Sequence, residues 1–101
     1  VYNLGSVYIG ERTTLAQYVY ICNGTHDLTN SILPLLVGDI EIGNDVFVGA
    51  KAIILPGLKL GNGSIVGAGS VLTKNTDEFK IYAGNPAKYI KERLFKNIQN
   101  G

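Results

Sequence analysis

Residues 42–72 read IGNDVFVGAKAIILPGLKLGNGSIVGAGSVL and carry an aliphatic residue at every sixth position. The aliphatic residues are Ile42, Val48, Ile54, Leu60, Val66 and Leu72. A small residue usually follows each of them, as at Gly43, Gly49 and Gly67. A spacing of six matches neither the 3.6-residue period of a helix nor the two-residue alternation of a single strand. It predicts short strands joined by tight corners, with the aliphatic side chains pointing inward.

The six-residue period also covers an earlier segment, separated from the first by one interruption. The earlier positions are Ile9, Leu15 and Ile21, and the later run begins at Leu36. Residues 27–35 between the runs contain polar residues and a proline, so we expect a loop that leaves the repeat there. This loop directly follows His26, the single histidine of the chain.

A different pattern follows Thr76, where the six-residue period ends. Asn85 and Pro86 are typical of the cap and first position of a helix. Apolar residues then recur every fourth position, at Ile90, Leu94 and Ile98. We therefore predict an amphipathic α-helix from residue 86 to about residue 99. The expected division is a repeat domain over 1–82, with the ejected loop, and a turn and helix over 83–101 packed on it.

Composition excludes several classes of protein. A chain of 101 residues is one domain, and 46% hydrophobic with 17% charged residues excludes a mainly disordered chain. A net charge of +1 is not that of a free-standing nucleic-acid binder. One cysteine and one histidine exclude an intrachain disulfide and any site that needs several of these ligands. No apolar run is long enough to span a membrane. Because the chain starts with Val and contains no Met, we expect that an N-terminal part is missing.

Several segments, in order and spacing, resemble the hexapeptide-repeat O-acetyltransferases. These segments are residues 21–27, 46–50, 54–57, 65–74 and 83–88. The colanic-acid-biosynthesis type is the nearest branch, and it is related to the galactoside and maltose acetyltransferases. The resemblance implies an all-β solenoid, a left-handed parallel β-helix in which three six-residue units form one coil. Residues 18 positions apart would then stack, as Ile42 on Leu60, Val48 on Val66 and Ile54 on Leu72.

The resemblance also implies how such a protein works. The family forms trimers with active sites between subunits, and acetyl-CoA lies along the outside of the stack as co-substrate without a metal. His26 matches the general base that deprotonates the acceptor hydroxyl. Ala50 matches the backbone N–H donor that stabilises the oxyanion. The positions that match cofactor contacts are Phe47, Ala50, Ala68, Thr73, Lys74 and Lys88.

The residues around the histidine carry their own indications. An imidazole with an unperturbed pKa of about 6.5 takes a proton near neutral pH without a metal. Asn23 is a candidate acceptor contact, and Asp27 is a weaker candidate for orienting His26. Cys22 occupies a small-residue position of the repeat, so we expect packing there rather than reactivity.

Three functions remain distinct at this point. The first is O-acetylation of a sugar or polysaccharide precursor in the cytoplasm, and the second is acetylation of an antibiotic or of serine. The third is a non-catalytic β-helix used only for trimerisation, which would not need His26 together with the groove residues. A β-helical zinc carbonic anhydrase is set aside because its zinc needs three histidine ligands.

Overall fold

The computed structural model describes residues 6–21, 24–26 and 35–94, with side chains described outside 24–26 and 35–37. Every regular element in this part of the chain is a short β-strand. The strands are β1 (Val7–Ile9), β2 (Thr14–Leu15), β3 (Tyr20–Ile21), β4 (Gly24–His26), β5 (Leu35–Val37), β6 (Ile40–Ile42), β7 (Phe47–Val48), β8 (Ile53–Ile54), β9 (Lys59–Leu60), β10 (Ile65–Val66), β11 (Val71–Leu72), β12 (Lys80–Gly84) and β13 (Ala87–Glu92). None of the described segments forms a helix long and apolar enough to cross a bilayer.

Three parallel sheets share these strands. The first sheet has the order β1-β6-β9, the second has β2-β7-β10-β12, and the third has β3-β8-β11. From β1 to β3 and from β6 to β11, consecutive strands enter consecutive sheets, so each of these circuits visits all three. The architecture is therefore a parallel β-helix, in which each coil stacks on the one before it.

The register of the middle coils is the one that the six-residue period predicts. The paired residues are Ile42 with Leu60, Val48 with Val66, and Ile54 with Leu72. All six are at most 3% exposed, and they form the centre of the core. Backbone hydrogen bonds run from coil to coil, as from the Gly49 N–H to the Val66 carbonyl at 2.7 Å.

The first coil is offset by an insertion. Ile9 pairs with Ile42, and Leu15 pairs with Val48, a separation of 33 residues instead of 18. The 15 extra residues (33 minus 18) contain β4 and β5, which pair antiparallel as a hairpin. Residues 27–34 of the predicted loop lie outside the described residues, while Leu35 already belongs to β5. The period does not resume at Leu36, because this residue pairs with Thr25 in the hairpin instead of stacking.

The predicted C-terminal helix is wrong over residues 87–92, which form β13. β12 continues the second sheet beside β10, and β13 turns back to pair antiparallel with β12. Gly84, with φ of 110°, and Pro86 occupy the tight turn between these strands. The helix-start signals thus mark a hairpin, because the open edge of β12 offers backbone partners that a helix would leave unused. Residues 95–101 lie outside the described part.

Arg93 fixes the end of this hairpin against the stack. Its backbone N–H donates to the Phe79 carbonyl at 2.7 Å. Its guanidinium donates to the carbonyls of Asp45 at 2.7 Å and Gly63 at 3.1 Å, in two successive coils. The hairpin therefore belongs to the solenoid and is not a separate unit.

Replacing Ile54 by alanine tests the stacked core. Ile54 is fully buried between Ile21 and Leu72, so Ile54→Ala removes apolar contacts and leaves a cavity. We expect the free energy of unfolding to fall by about 2–5 kcal/mol, measured by urea denaturation. Ile90→Ala is the control, because Ile90 is 55% exposed and should change stability little. Equal losses in the two variants would contradict the register.

Candidate functional site

Two of the predicted site residues stack at the corner between the second and third sheets. This second corner comprises residues 16–19, 49–52 and 67–70. The Ala50 carbonyl accepts the Gly69 N–H at 2.8 Å, which places Ala50 and Ala68 one above the other. A Cβ at Gly49 would lie 2.5 Å from the Ala68 nitrogen, so the coils meet here backbone to backbone. The side of this corner is therefore a column of small residues.

The amide of Ala50 differs from its counterparts at the first corner (residues 10–13, 43–46, 61–64 and 77–79). There the Glu11 N–H donates to Asn44 Oδ1 at 2.7 Å, and the Asn44 N–H donates to Asn62 Oδ1 at 2.8 Å. At the second corner the equivalent of Asn62 is Ala68, whose methyl group accepts nothing. Within the described residues the Ala50 N–H has no hydrogen-bond acceptor. This half-buried donor is available to an oxygen from outside the chain.

Three further predicted residues share one cavity at the C-terminal end of the stack. Thr73 and Lys74, from the third corner (residues 55–58 and 73–76), line it together with Lys88 of β13. Its volume is about 440 Å³, and Leu72, Tyr82 and Tyr89 supply apolar surface. Thr73, Lys74 and Lys88 are exposed. Two lysines beside apolar surface suit a ligand with both phosphate and apolar parts.

A polar cluster that the sequence did not indicate borders this cavity. Glu92 Oε2 accepts the Tyr89 hydroxyl at 2.7 Å and the Lys80 ammonium at 2.8 Å. Both bonds lower the pKa of Glu92, and the bond from Lys80 has the larger effect. The hydrogen bond to Glu92 raises the pKa of Lys80 and of Tyr89. At neutral pH these shifts favour a charged Glu92, a charged Lys80 and a neutral Tyr89.

A larger open groove follows the first sheet and contains none of the predicted site residues. Its volume is about 530 Å³, and its lining includes Tyr8, Glu41 and Lys59. Glu41 and Lys59 form an exposed ion pair at 3.7 Å. The described residues hold no group of three histidine, cysteine, aspartate or glutamate side chains near enough to bind a metal ion.

His26 lies on a different corner from Ala50. It is the last residue of β4, which leaves the stack after β3 of the third sheet, and it pairs with Leu35. Ala50 instead precedes β8 of the same sheet. One chain therefore does not bring His26 and Ala50 to a common corner.

Phe47 lies on β7, in the coil of Ala50, and is 42% exposed.

Three other candidates near the histidine have no described structure. Cys22, Asn23 and Asp27 lie outside the described residues. Their assignments stay predictions.

Residues 39–74 match the bacterial transferase hexapeptide family, which has six repeats. The match covers the middle coils of the stack, from just before β6 to just after β11. The resemblance to the hexapeptide-repeat acetyltransferases is therefore confirmed, and the stack is a left-handed parallel β-helix.

Relatives with a known name are acetyltransferases. The chain is 48% identical to a probable macrolide acetyltransferase of Lysinibacillus sphaericus over 83 residues, which are 81% of this chain and 46% of the relative. It is 32% identical to a putative colanic acid biosynthesis acetyltransferase of Escherichia coli over 94 residues, 93% of this chain and 52% of the relative. The chain thus spans about half the length of these relatives.

A solved structure gives the same picture of the fold. A galactoside acetyltransferase in complex with coenzyme A superposes with a TM-score of 0.82 and 30% identity. The match covers 90% of this chain and 50% of the galactoside enzyme.

The unpaired Ala50 amide can be tested by supplying the missing acceptor. In Ala68→Asn, the new side chain occupies the position that Asn62 has above Asn44, so it should accept the Ala50 N–H. We expect hydrogen exchange of this amide, followed by NMR, to slow by about tenfold or more. Ala68→Leu is the matched control, since it adds a side chain of similar size without an acceptor. The same exchange rate in both variants would contradict this description of the corner.

Proposed function

We propose that the protein is an acetyltransferase that transfers an acetyl group from acetyl-CoA to a hydroxyl of a sugar or polysaccharide precursor. The observation that carries the proposal is the Ala50 N–H, a donor with no acceptor among the described residues, at a corner that also holds Ala68. Preorganised backbone donors of this kind stabilise the oxyanion of acyl transfer. The named acetyltransferases among the relatives support the reaction class.

Several of the predicted residues have a part in this reaction. The imidazole of His26 accepts the proton of the acceptor hydroxyl as that oxygen attacks the thioester carbonyl. The tetrahedral intermediate then collapses with cleavage of its C–S bond, and the CoA thiolate leaves and takes up the proton from His26. The Ala50 N–H donates to the carbonyl oxygen as negative charge develops on it. Lys74 and Lys88 attract phosphates, and the narrow column at Ala68 leaves room for an extended pantetheine arm. The coenzyme A bound to the galactoside acetyltransferase supports this donor.

The outward faces of the sheets support a homotrimer with shared sites. The second sheet presents Phe47, Ile65 and Ile81 beside one polar residue, Thr14, and the third presents Tyr20, Ile53 and Val71. The first sheet instead presents Tyr8, Glu41 and Lys59. Two adjacent apolar faces suit burial between copies of the chain. In such a trimer the His26 hairpin of one copy reaches the second corner of the next, which a single chain does not achieve.

The acceptor is proposed from the relatives. The colanic acid and galactoside enzymes favour a saccharide hydroxyl. The 48% identity to the macrolide enzyme favours an antibiotic hydroxyl as the second candidate. The cytoplasmic location and a role in polysaccharide biosynthesis stay predictions.

Replacing His26 tests the reaction. We expect His26→Ala to lower turnover by about 10²–10⁴-fold, because the acceptor hydroxyl loses its base. The measurement is release of the CoA thiol with acetyl-CoA and a panel of sugars, a macrolide and chloramphenicol, alongside light scattering for the oligomer. Glu78→Gln, at an exposed residue of the first corner, is the control.

Two outcomes would count against the proposal. Unchanged turnover in His26→Ala rejects His26 as the base. If the parent protein forms trimers but releases no thiol with any acceptor, the result favours the structural trimerisation module instead.

A further inference from the structure

The cavity that holds Lys74 and Lys88 has an aromatic wall that the proposed reaction does not use. Tyr89 lines this cavity and is 51% exposed. A second cavity of about 270 Å³ shares Tyr89, Tyr82 and Asp77 with it. Tyr89 thus borders two neighbouring cavities at the end of the stack. Together they are of the size that small-molecule ligands occupy.

Three contacts hold the Tyr89 ring in place. Its hydroxyl donates to Glu92, and Lys80 Nζ lies 5.4 Å from the ring centroid. Tyr82 meets it edge to face, with centroids 6.1 Å apart and planes at 70°. Tyr82 is itself fixed, because its hydroxyl accepts the Asp77 N–H at 2.8 Å. A half-exposed ring held this way loses little conformational freedom when a ligand packs on it.

The lining of the cavity indicates one chemical class of ligand. Lys74 and Lys88 attract phosphate groups, and the Tyr89 ring offers a flat surface on which a planar base stacks. Asp77 adds a carboxylate, an acceptor for the N–H groups of a base. A phosphate ester alone would leave the ring unused, and an uncharged sugar would leave the lysines unused. A purine nucleotide uses all of these groups.

We propose that Tyr89 is the stacking surface for the adenine of the acyl donor, and that Glu92 and Lys80 are positioning residues that hold its ring. The identity of the donor rests on the proposed function. Because Tyr89 would contact the adenine, it favours the full nucleotide donor over an acylated pantetheine, which has no adenine.

Calorimetric titration of the full chain with CoA, adenosine 3′,5′-bisphosphate and pantetheine tests this assignment. We expect Tyr89→Ala to weaken CoA and the bisphosphate by roughly tenfold or more, the effect of losing one base–aromatic stack. Pantetheine should bind as it does to the parent. Tyr89→Phe and Tyr89→Trp keep a ring and should stay within about threefold of the parent. Glu92→Gln should weaken the bisphosphate less than Tyr89→Ala does and leave pantetheine unchanged.

Ile90→Ala is the matched control. Ile90 is the neighbour of Tyr89 on β13, is 55% exposed and does not line the cavity, so all three ligands should bind unchanged. Thermal unfolding reports whether the hairpin survives, and Tyr89→Leu replaces Tyr89→Ala if it does not.

The outcomes separate this proposal from the function on which it rests. Unchanged affinity for CoA and the bisphosphate in Tyr89→Ala and Tyr89→Leu, with a parent that binds both, overturns the role of Tyr89 alone. An equal loss for pantetheine and CoA is a general structural effect and also overturns it. A parent that binds neither CoA nor the bisphosphate overturns the donor assignment as well.

Discussion

The hydrogen bond between the amide of one coil and the carbonyl of the next is the constraint on which this structure depends. These bonds are short, such as 2.8 Å from Ile53 to Ser70, and they require each coil to repeat the backbone path of its neighbour. At the corners the chain turns through the left-handed region, where even Asp45 and Lys51 have φ of 58° and 62°. Such residues cost about 1–2 kcal/mol each, and the stacked hydrogen bonds and buried aliphatic columns offset that cost.

The same constraint explains why a corner becomes a candidate site. The first and second corners present backbone N–H groups that the coil-to-coil ladder does not use. At the first corner the side chains of Asn44 and Asn62 accept the N–H groups of Glu11 and Asn44, so these donors stabilise the stack. At the second corner the side chains of Ala50 and Ala68 provide no acceptor, and no other described residue accepts the Ala50 N–H. A change of one residue type in the repeat thus removes a stabilising hydrogen bond and leaves the donor that the proposed function uses.

The sequence predicted the middle coils because nothing interrupts their period between Ile42 and Leu72. It did not predict the offset of the first coil, since the length of a hairpin insertion leaves no mark on the six-residue spacing. Leu36 kept the spacing by coincidence while pairing inside that hairpin. The C-terminal prediction failed because helix-cap residues and a four-residue apolar spacing say nothing about the open edge of β12.

The candidate site was predictable only in part. Thr73, Lys74 and Lys88, which the resemblance matched to cofactor contacts, share a cavity because β13 folds back on β12 at the end of the stack. His26 and Ala50 lie at different corners of one chain, and the proposed trimer is what would bring them together. Lys80 and Glu92 hold Tyr89 in place because β12 and β13 pair as a hairpin. The local sequence pattern did not predict this pairing.

Stacking is tested most directly by nuclear Overhauser effects between backbone protons of successive coils. The structure predicts contacts at a separation of 33 residues for Ile9 and Ile42, 18 for Val48 and Val66, and 16 for Val66 and Tyr82. Contacts three and four residues apart through residues 42–72, with none between these pairs, would contradict the β-helix and everything derived from it.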